Sequence, residues 1–478
     1  MPTKKQTRDR DYIFHNLTVS LCPVCLKRVM AKVIIKDGSV YLLKRCEEHG
    51  ESTALVEEDA KYYLSTPEYN KPGTTCKTQT AIKEGCPFDC GLCPDHEQHG
   101  CIGLIEVTNF CNLRCPTCYA TSGEGDFLSM KKIEEMMDFL LDSEYGEGEI
   151  LQISGGEPTT HPKILEILRL AKSKPFKCVM LNSNGIRIAS DEKFAAALAE
   201  FRGRFEVYLQ FDGFKKSTYE ELRGRDILAI KKKAIQNLAK YKVPITLVAT
   251  IKKGVNDDEV GEIAKFGMDT KYIRGVNFQP ITYFGRLDSG KSGKAAGGPD
   301  PMNRSTLTSI LNGIEKQTKG TLKKSDFIPL PCHPDKIALT YLFKEKGKYV
   351  PITRKLDIRK NLSLINNTLS FRPEDLMRKS LLGLWSASTV ISSAKALKEL
   401  SCCMPLDIGR RSEEDRMEYV DENTFRITVV SFLDAYNFDL KSIKQECVQF
   451  VTPDLKRIPF STYNLIHRQN GPKHPLTK

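Results

Sequence analysis

The chain has 478 residues, of which 40% are hydrophobic and 28% charged, and it carries a net charge of +12 at pH 7. That balance suits folded units with sizeable cores and excludes a globally disordered or fibrous polymer. No run approaches the roughly 18 apolar residues of a membrane span, and the opening "MPTKKQTRDRDYIFHNL" lacks the apolar core of a signal peptide, so a cytoplasmic protein is expected.

In a reducing compartment cysteines point to metals rather than disulfides, and eleven of the sixteen lie between Cys22 and Cys118. The first predicted unit is residues 12–60. Cys22-Pro-Val-Cys25 and Cys46-Glu-Glu-His49 flank the strand–turn–strand run "AKVIIKDGSVYLLKR". Two such knuckles at the ends of a hairpin predict a closed, ribbon-like or rubredoxin-like site for one mononuclear zinc or iron, and the ligands alone do not choose between the two. In the next segment, residues 76–102, "CPFDCGLCPDHEQHGC" offers Cys86, Cys90, Cys93 and Cys101. Four thiolates threaded with Pro and Gly predict a fully ligated auxiliary 4Fe–4S cluster, with a second zinc site as the alternative. Cys76 stands apart without a role.

Residues 103–284 alternate strand-like runs ("GLIEVTN", "EILQISGGEP", "FKCVMLNSNG", "FEVYLQFDG", "PITLVATIKKG", "IRGVNFQPIT") with helical patterns such as "MKKIEEMMDFLLDS", "HPKILEILRLAKS" and "DEKFAAALAEFRGR". Six β–α repeats predict an α/β fold, a partial (β/α)6 TIM-like barrel whose chemistry sits on loops at the strands' C-terminal ends. His161 is expected to cap a helix and Cys178 to pack in a strand. The stretch "GRLDSGKSGKAAGGPDPMNRST" reads as a loop or boundary, after which residues 301–478 form an α+β extension containing the helix "PEDLMRKSLLGLWSASTVISSAKALKEL". The Lys-rich stretches "KKSDF" and "IKKKAI" read as solvated helix faces, or else as attraction to an anionic partner.

The chemistry concentrates in "CNLRCPTCYA", directly after the first barrel strand. Cys111, Cys115 and Cys118 are three thiolates, and a cubane held by three leaves one iron open for a ligand. With Tyr119 beside the last cysteine, this C-x3-C-x2-C pattern resembles the radical S-adenosylmethionine superfamily. "SGGEP" (154–158) and "NSNG" (182–185) follow the next two strands and match that superfamily's motifs in order. The resemblance implies that S-adenosylmethionine chelates the open iron and is cleaved to a 5′-deoxyadenosyl radical. It also implies that Gly155, Gly156 and Glu157 hold the methionyl amino group, the glycines allowing close backbone approach to the ligand. Asn182, Ser183 and Asn184 would contact the ribose, and Gln210 is counted with the cofactor contacts. Gln210, Asp212, Thr250, Asn256 and Gln279 stand at strand ends, where each lines the pocket or makes an ordinary strand-end hydrogen bond.

With "IPLPCHPD", "CCM", "AYNFDL" and "IPFSTYN" added, nearly the whole chain resembles the subfamily of the archaeal tetraether lipid synthase and the hydroxymethylpterin dimethyltransferase. The favoured expectation is hydrogen abstraction from isoprenoid lipid tails with carbon–carbon bond formation. The alternative is radical C-methylation of 7,8-dihydro-6-hydroxymethylpterin in methanopterin biosynthesis. A non-catalytic iron–sulfur module is a third reading, and the open iron argues against it. The lipid reading expects an apolar groove walled by Leu376, Leu381, Leu382, Leu384, Trp385 and Val390 and a peripheral membrane contact. The expected partners are a lipid or small-molecule substrate and a ferredoxin- or reductase-type electron donor, with no nucleic acid. Lys336 and Ser461 stand where the subfamily has thiolates. Cys332, Cys402, Cys403 and Cys447 therefore either build a third 4Fe–4S cluster or pack in a core.

Overall fold

The structure, a computed structural model, describes residues 10–468 apart from Thr75, Thr121, residues 288–298 and most of 356–421. Four strands, β1 (Ile13–Leu21), β2 (Arg28–Lys36), β3 (Ser39–Cys46) and β4 (Gly50–Glu57), pair in chain order as an antiparallel sheet. The β2–β3 turn is Asp37-Gly38, with φ of 49° and 78°, the left-handed pair that a two-residue hairpin turn requires. Lys44 of β3 is buried and fastens this sheet to the rest of the chain, its Nζ donating to Leu21 O (2.7 Å) and Ala435 O (2.6 Å).

The six expected barrel strands are β5 (Ile102–Glu106), β6 (Gly148–Ser154), β7 (Phe176–Ser183), β8 (Phe205–Gln210), β9 (Ile245–Ile251) and β10 (Ile273–Pro280). They lie parallel and in neighbour order. C-terminal residues extend the same sheet through β11 (Ile328–Pro329), β12 (Ile337–Glu345), β13 (Lys348–Pro351), β14 (Thr424–Val430), β15 (Val448–Val451) and β16 (Arg457–Pro459). Strand β14 runs parallel beside β10, and β15 runs parallel beside β5. The order is β11-β12-β14-β10-β9-β8-β7-β6-β5-β15-β16, with β13 on β12.

Each inner strand alternates. In β8, Phe205, Val207 and Leu209 enter the core beneath the helices, while Tyr208 and Gln210 face the opposite side. The helix Met130–Ser143 matches its sequence pattern, with Ser129 capping it through Lys132 N and Ile133, Met136, Met137, Leu140 and Leu141 buried at helical spacing. The pattern at 191–204 yields a shorter helix, Glu192–Ala197, which tightens into a 3₁₀ turn over Leu198–Phe201. The expected helix at 373–400 lies outside the described residues.

Candidate active site

The loop after β5 carries Cys111, Cys115 and Cys118 and is pinned at several points. Cys111 N donates to Gly123 O (2.8 Å), Cys118 N to Cys115 O (3.3 Å) and Arg286 Nη1 to Cys115 O (2.7 Å). Burial pushes the Cys111 thiol up to about 12 and raises that of Cys115. Both thiols therefore keep their protons near neutrality until a metal displaces them. Gly155 and Gly156 face this loop at the end of β6. A Cβ on Gly155, whose φ is +132°, would lie 2.1 Å from Thr108 O, and one on Gly156 would lie 2.2 Å from Phe110 O. The backbone these glycines must approach is thus the cysteine loop itself, whereas the sequence suggested only a ligand.

Glu157 is 1% exposed, and both its oxygens are taken by protein donors. Oε1 accepts from Thr159 Oγ1 (2.5 Å) and Ser183 Oγ (2.9 Å), and Oε2 accepts from Asn184 N (2.7 Å). It ties the β6 loop to the β7 loop. Asn184 braces the cysteine loop in turn, its Nδ2 donating to Asn112 Oδ1 (2.8 Å). Asn182 Nδ2 donates to Ser154 Oγ (3.1 Å), and the Tyr119 ring packs 5.2 Å from that of Phe460. His161 accepts from Lys163 N (3.1 Å) just before the helix Ile164–Ser173.

Two cations went unread in the sequence. Arg223 forms a buried pair with Asp212 (2.7 and 2.5 Å) and also donates to Thr250 Oγ1 (3.0 Å). Lys231 is 0% exposed, donating to Asn184 O (2.6 Å) and Gln210 Oε1 (3.1 Å), and burial lowers its pKa to about 8. The expectation that "IKKKAI" is a solvated face fails at this residue. The signal was present, because Lys231 falls on the apolar stripe Ile227, Ala234, Ile235 and Leu238 of a single helix face. Asn256 makes an ordinary strand-end contact, donating to Asp212 O (2.7 Å) and Thr250 O (2.8 Å).

These parts rim a cavity of about 270 Å³ lined by the inward residues of the parallel strands. Gln152, Asn182, Tyr208, Asn277, Gln279 and Arg426 supply polar groups, and Leu104, Ile150, Val430 and Phe460 supply apolar walls. Tyr208 is hydrogen-bonded to Asn277 and Gln279. Among the described residues, the side-chain carbonyl oxygens of Asn182 and Asn277 are buried without a hydrogen-bond partner. Of this wall, the sequence reading named Asn182 and Gln279.

Residues 105–267 match the Radical SAM superfamily, and residues 14–58 match the HMPTM N-terminal zinc ribbon domain. Over 95% of its length the chain is 33% identical to the 7,8-dihydro-6-hydroxymethylpterin dimethyltransferase of Methanocaldococcus jannaschii, covering 94% of that protein. The chain belongs to the 7,8-dihydro-6-hydroxymethylpterin dimethyltransferase family. A GTP 3′,8-cyclase of Alkaliphilus metalliredigens is 25% identical over 37% of this chain and 56% of its own length. The structure of Streptococcus suis SuiB bound to S-adenosylmethionine aligns at 15% identity and a TM-score of 0.35, over 47% of this chain and 50% of that one. As a member of the dimethyltransferase family the protein is a radical S-adenosylmethionine enzyme, with S-adenosylmethionine and a 4Fe–4S cluster as cofactors. That membership overturns the expectation of lipid-tail coupling. The segment expected to wall a lipid groove lies outside the described residues, and no described helix is long and apolar enough to cross a membrane.

Among the described residues, two donor sets close to within 4.8 Å: Cys22, Cys25, Cys46 and His49, and Cys101, Cys332 and Cys447. The first is the family's zinc ribbon. Its Cys25 and Cys46 sulfurs are 3.8 Å apart, and His49 Nδ1 lies 3.7 Å from Cys22 Sγ and 3.5 Å from Cys46 Sγ. A tetrahedral ion with bonds of about 2.3 Å to sulfur sets such edges near 3.8 Å, so the residues fit. Cys111, Cys115 and Cys118 are set wider, as suits thiolates on separate irons of a cluster. Cys86, Cys90 and Cys93 gather with His96, Lys444 and Pro459 around a small cavity. Cys101, expected as their fourth ligand, stands instead with Cys332 and Cys447. The β5–β15 pairing places it there, Cys101 N donating to Cys447 O (2.8 Å). Of the expected third-cluster ligands, Cys402 and Cys403 lie outside the described residues. Lys336 Nζ lies 3.3 Å from Asp335, and Ser461 Oγ accepts from Leu433 N (2.9 Å). Cys76 Sγ lies 4.0 Å from Gln98 O.

Proposed function

We propose that the protein is a radical C-methyltransferase acting on a pterin of the 7,8-dihydro-6-hydroxymethyl type. The observation that carries this reading is the cavity wall, where Asn182 and Asn277, whose buried amide oxygens have no partner among the described residues, line the same cavity as apolar side chains. A flat ring with donor and acceptor edges satisfies such a wall, whereas a methylene chain would leave buried polar groups unpaired at about 1–3 kcal/mol each. The relative's name supports the same substrate class. Cys111, Cys115 and Cys118 would hold the cluster, with Gly155, Gly156, Asn182, Ser183, Asn184, Gln210 and Tyr119 around the cofactor. When bound, cluster and S-adenosylmethionine supply a deoxyadenosyl radical. The chain's own residues hold the cysteine loop through Gly156, Glu157 and Asn184, orient the ring through the amide wall, and screen the site with the β14–β16 residues. The eight parallel strands form the partial barrel extended by one strand at each edge. Cys86, Cys90 and Cys93 take part in an auxiliary cluster, and a ferredoxin- or reductase-type protein delivers electrons.

The test is incubation of reduced, anaerobic enzyme with S-adenosylmethionine and 7,8-dihydro-6-hydroxymethylpterin in filtered extract that supplies one-carbon donors. A pterin heavier by one or two methyl groups, formed together with 5′-deoxyadenosine, is the expected product. Deoxyadenosine without any change to the pterin would reject the assignment.

A further inference from the structure

The three thiols of Cys101, Cys332 and Cys447 come from chain segments far apart and are each 0% exposed. Cys101 Sγ lies 3.5 Å from Cys332 Sγ, which lies 3.3 Å from Cys447 Sγ. A cubane puts each thiolate on a different iron and spreads them, as the Cys111 set is spread, whereas one ion draws them to about 3.8 Å. The ribbon of this same chain shows the single-ion spacing at 3.8 Å. Neither Lys336 nor Ser461 can add a thiolate. His99 Nε2 lies 3.7 Å from Cys101 Sγ but falls outside the set of donors that close to within 4.8 Å of one another, so the three thiols are the gathered ligands among the described residues. Three thiolates with one further donor are an established tetrahedral environment for zinc.

We propose that Cys101, Cys332 and Cys447 bind one thiophilic divalent ion, zinc or ferrous iron, in place of a third cluster. Its position in the fold gives the ion a task. Cys332 lies between β11 and β12 at one end of the sheet, and Cys101 and Cys447 immediately precede β5 and β15 at the other. The ion staples the two ends of the curled sheet, a junction also held by side-chain packing and by hydrogen bonds such as Leu433 N to Ser461 Oγ.

The full-length protein, purified anaerobically, is assayed for zinc, iron and acid-labile sulfide. Cys332→Ser should lose one ion with sulfide unchanged, Cys25→Ser should lose a different one, and the double variant should lose two. Loss of iron together with sulfide in Cys332→Ser would replace the single ion by a cluster, and unchanged metal content would reduce the site to three packed thiols. Either result overturns the proposal. Because Cys332→Ser could misfold, native mass spectrometry of the unaltered protein provides a second measure. Two single ions beyond the clusters are expected, and one alone would sink the idea.

Discussion

Lys231 shows what one buried charge does to this site. Its folded pKa of about 8 lies below the ordinary 10.5 because burial disfavours the ammonium. The unfolded chain therefore binds the extra proton between those values, so stability rises with pH across that window and is lowest below it. From pH 7.5 to 9.5 the wild type should gain about 2 kcal/mol of unfolding free energy relative to Lys231→Met, read by urea unfolding of the two proteins. A flat difference would mean that Lys231 titrates normally. Cys115→Ala carries the second residue-level expectation. The open iron needs all three thiolates, so this variant should form no 5′-deoxyadenosine while keeping its ribbon ion, as chromatography and zinc analysis would report.

The decisive element is the crossing of the β5 and β6 loops. Gly156 passes beneath Phe110 O with no room for a methyl group, and Glu157 then clamps Ser183 and Asn184 of the β7 turn. Gly156→Ala should force the loops apart at a cost of about 1–3 kcal/mol and lower iron incorporation at the Cys111 set, with the ribbon ion retained. Thermal unfolding and iron counting would check both parts, and unchanged iron would show that the crossing does not shape the cysteine loop. The motifs "CNLRCPTCYA", "SGGEP" and "NSNG" were legible in order because each is local. That the second and third brace the first was not, since sequence order says nothing of which loops cross.

At the scale of the molecule, the sheet's two ends meet around Phe460. Its ring stacks on Phe432 beyond β14 (4.0 Å between centroids) and on Phe450 of β15 (5.2 Å). Phe460→Ala should therefore cost about 3–5 kcal/mol, more than a surface aromatic, and widen the cavity it lines. Chemical unfolding and pterin binding measured on the same variant would separate lost stability from lost site shape. A cost below 1 kcal/mol would mean that packing does not close this junction.

The sequence by itself determined the cysteine motifs and the six β–α repeats, because ligand spacing and hydrophobic period are read over a few residues. Inner-strand alternation such as Phe-Glu-Val-Tyr-Leu-Gln in β8 was also written there, including the side on which polar residues fall. Tertiary structure alone decided which thiol meets which. Cys101 and Cys332 are 231 residues apart, and only the added strands at both edges of the sheet bring them together. Strand pairing also sets Asn277 beside Arg426 in the cavity wall, and the fold brings Lys231 to Asn184 and Gln210. Residues distant along the chain become neighbours through strand pairing, and neither spacing nor period records which strands will pair.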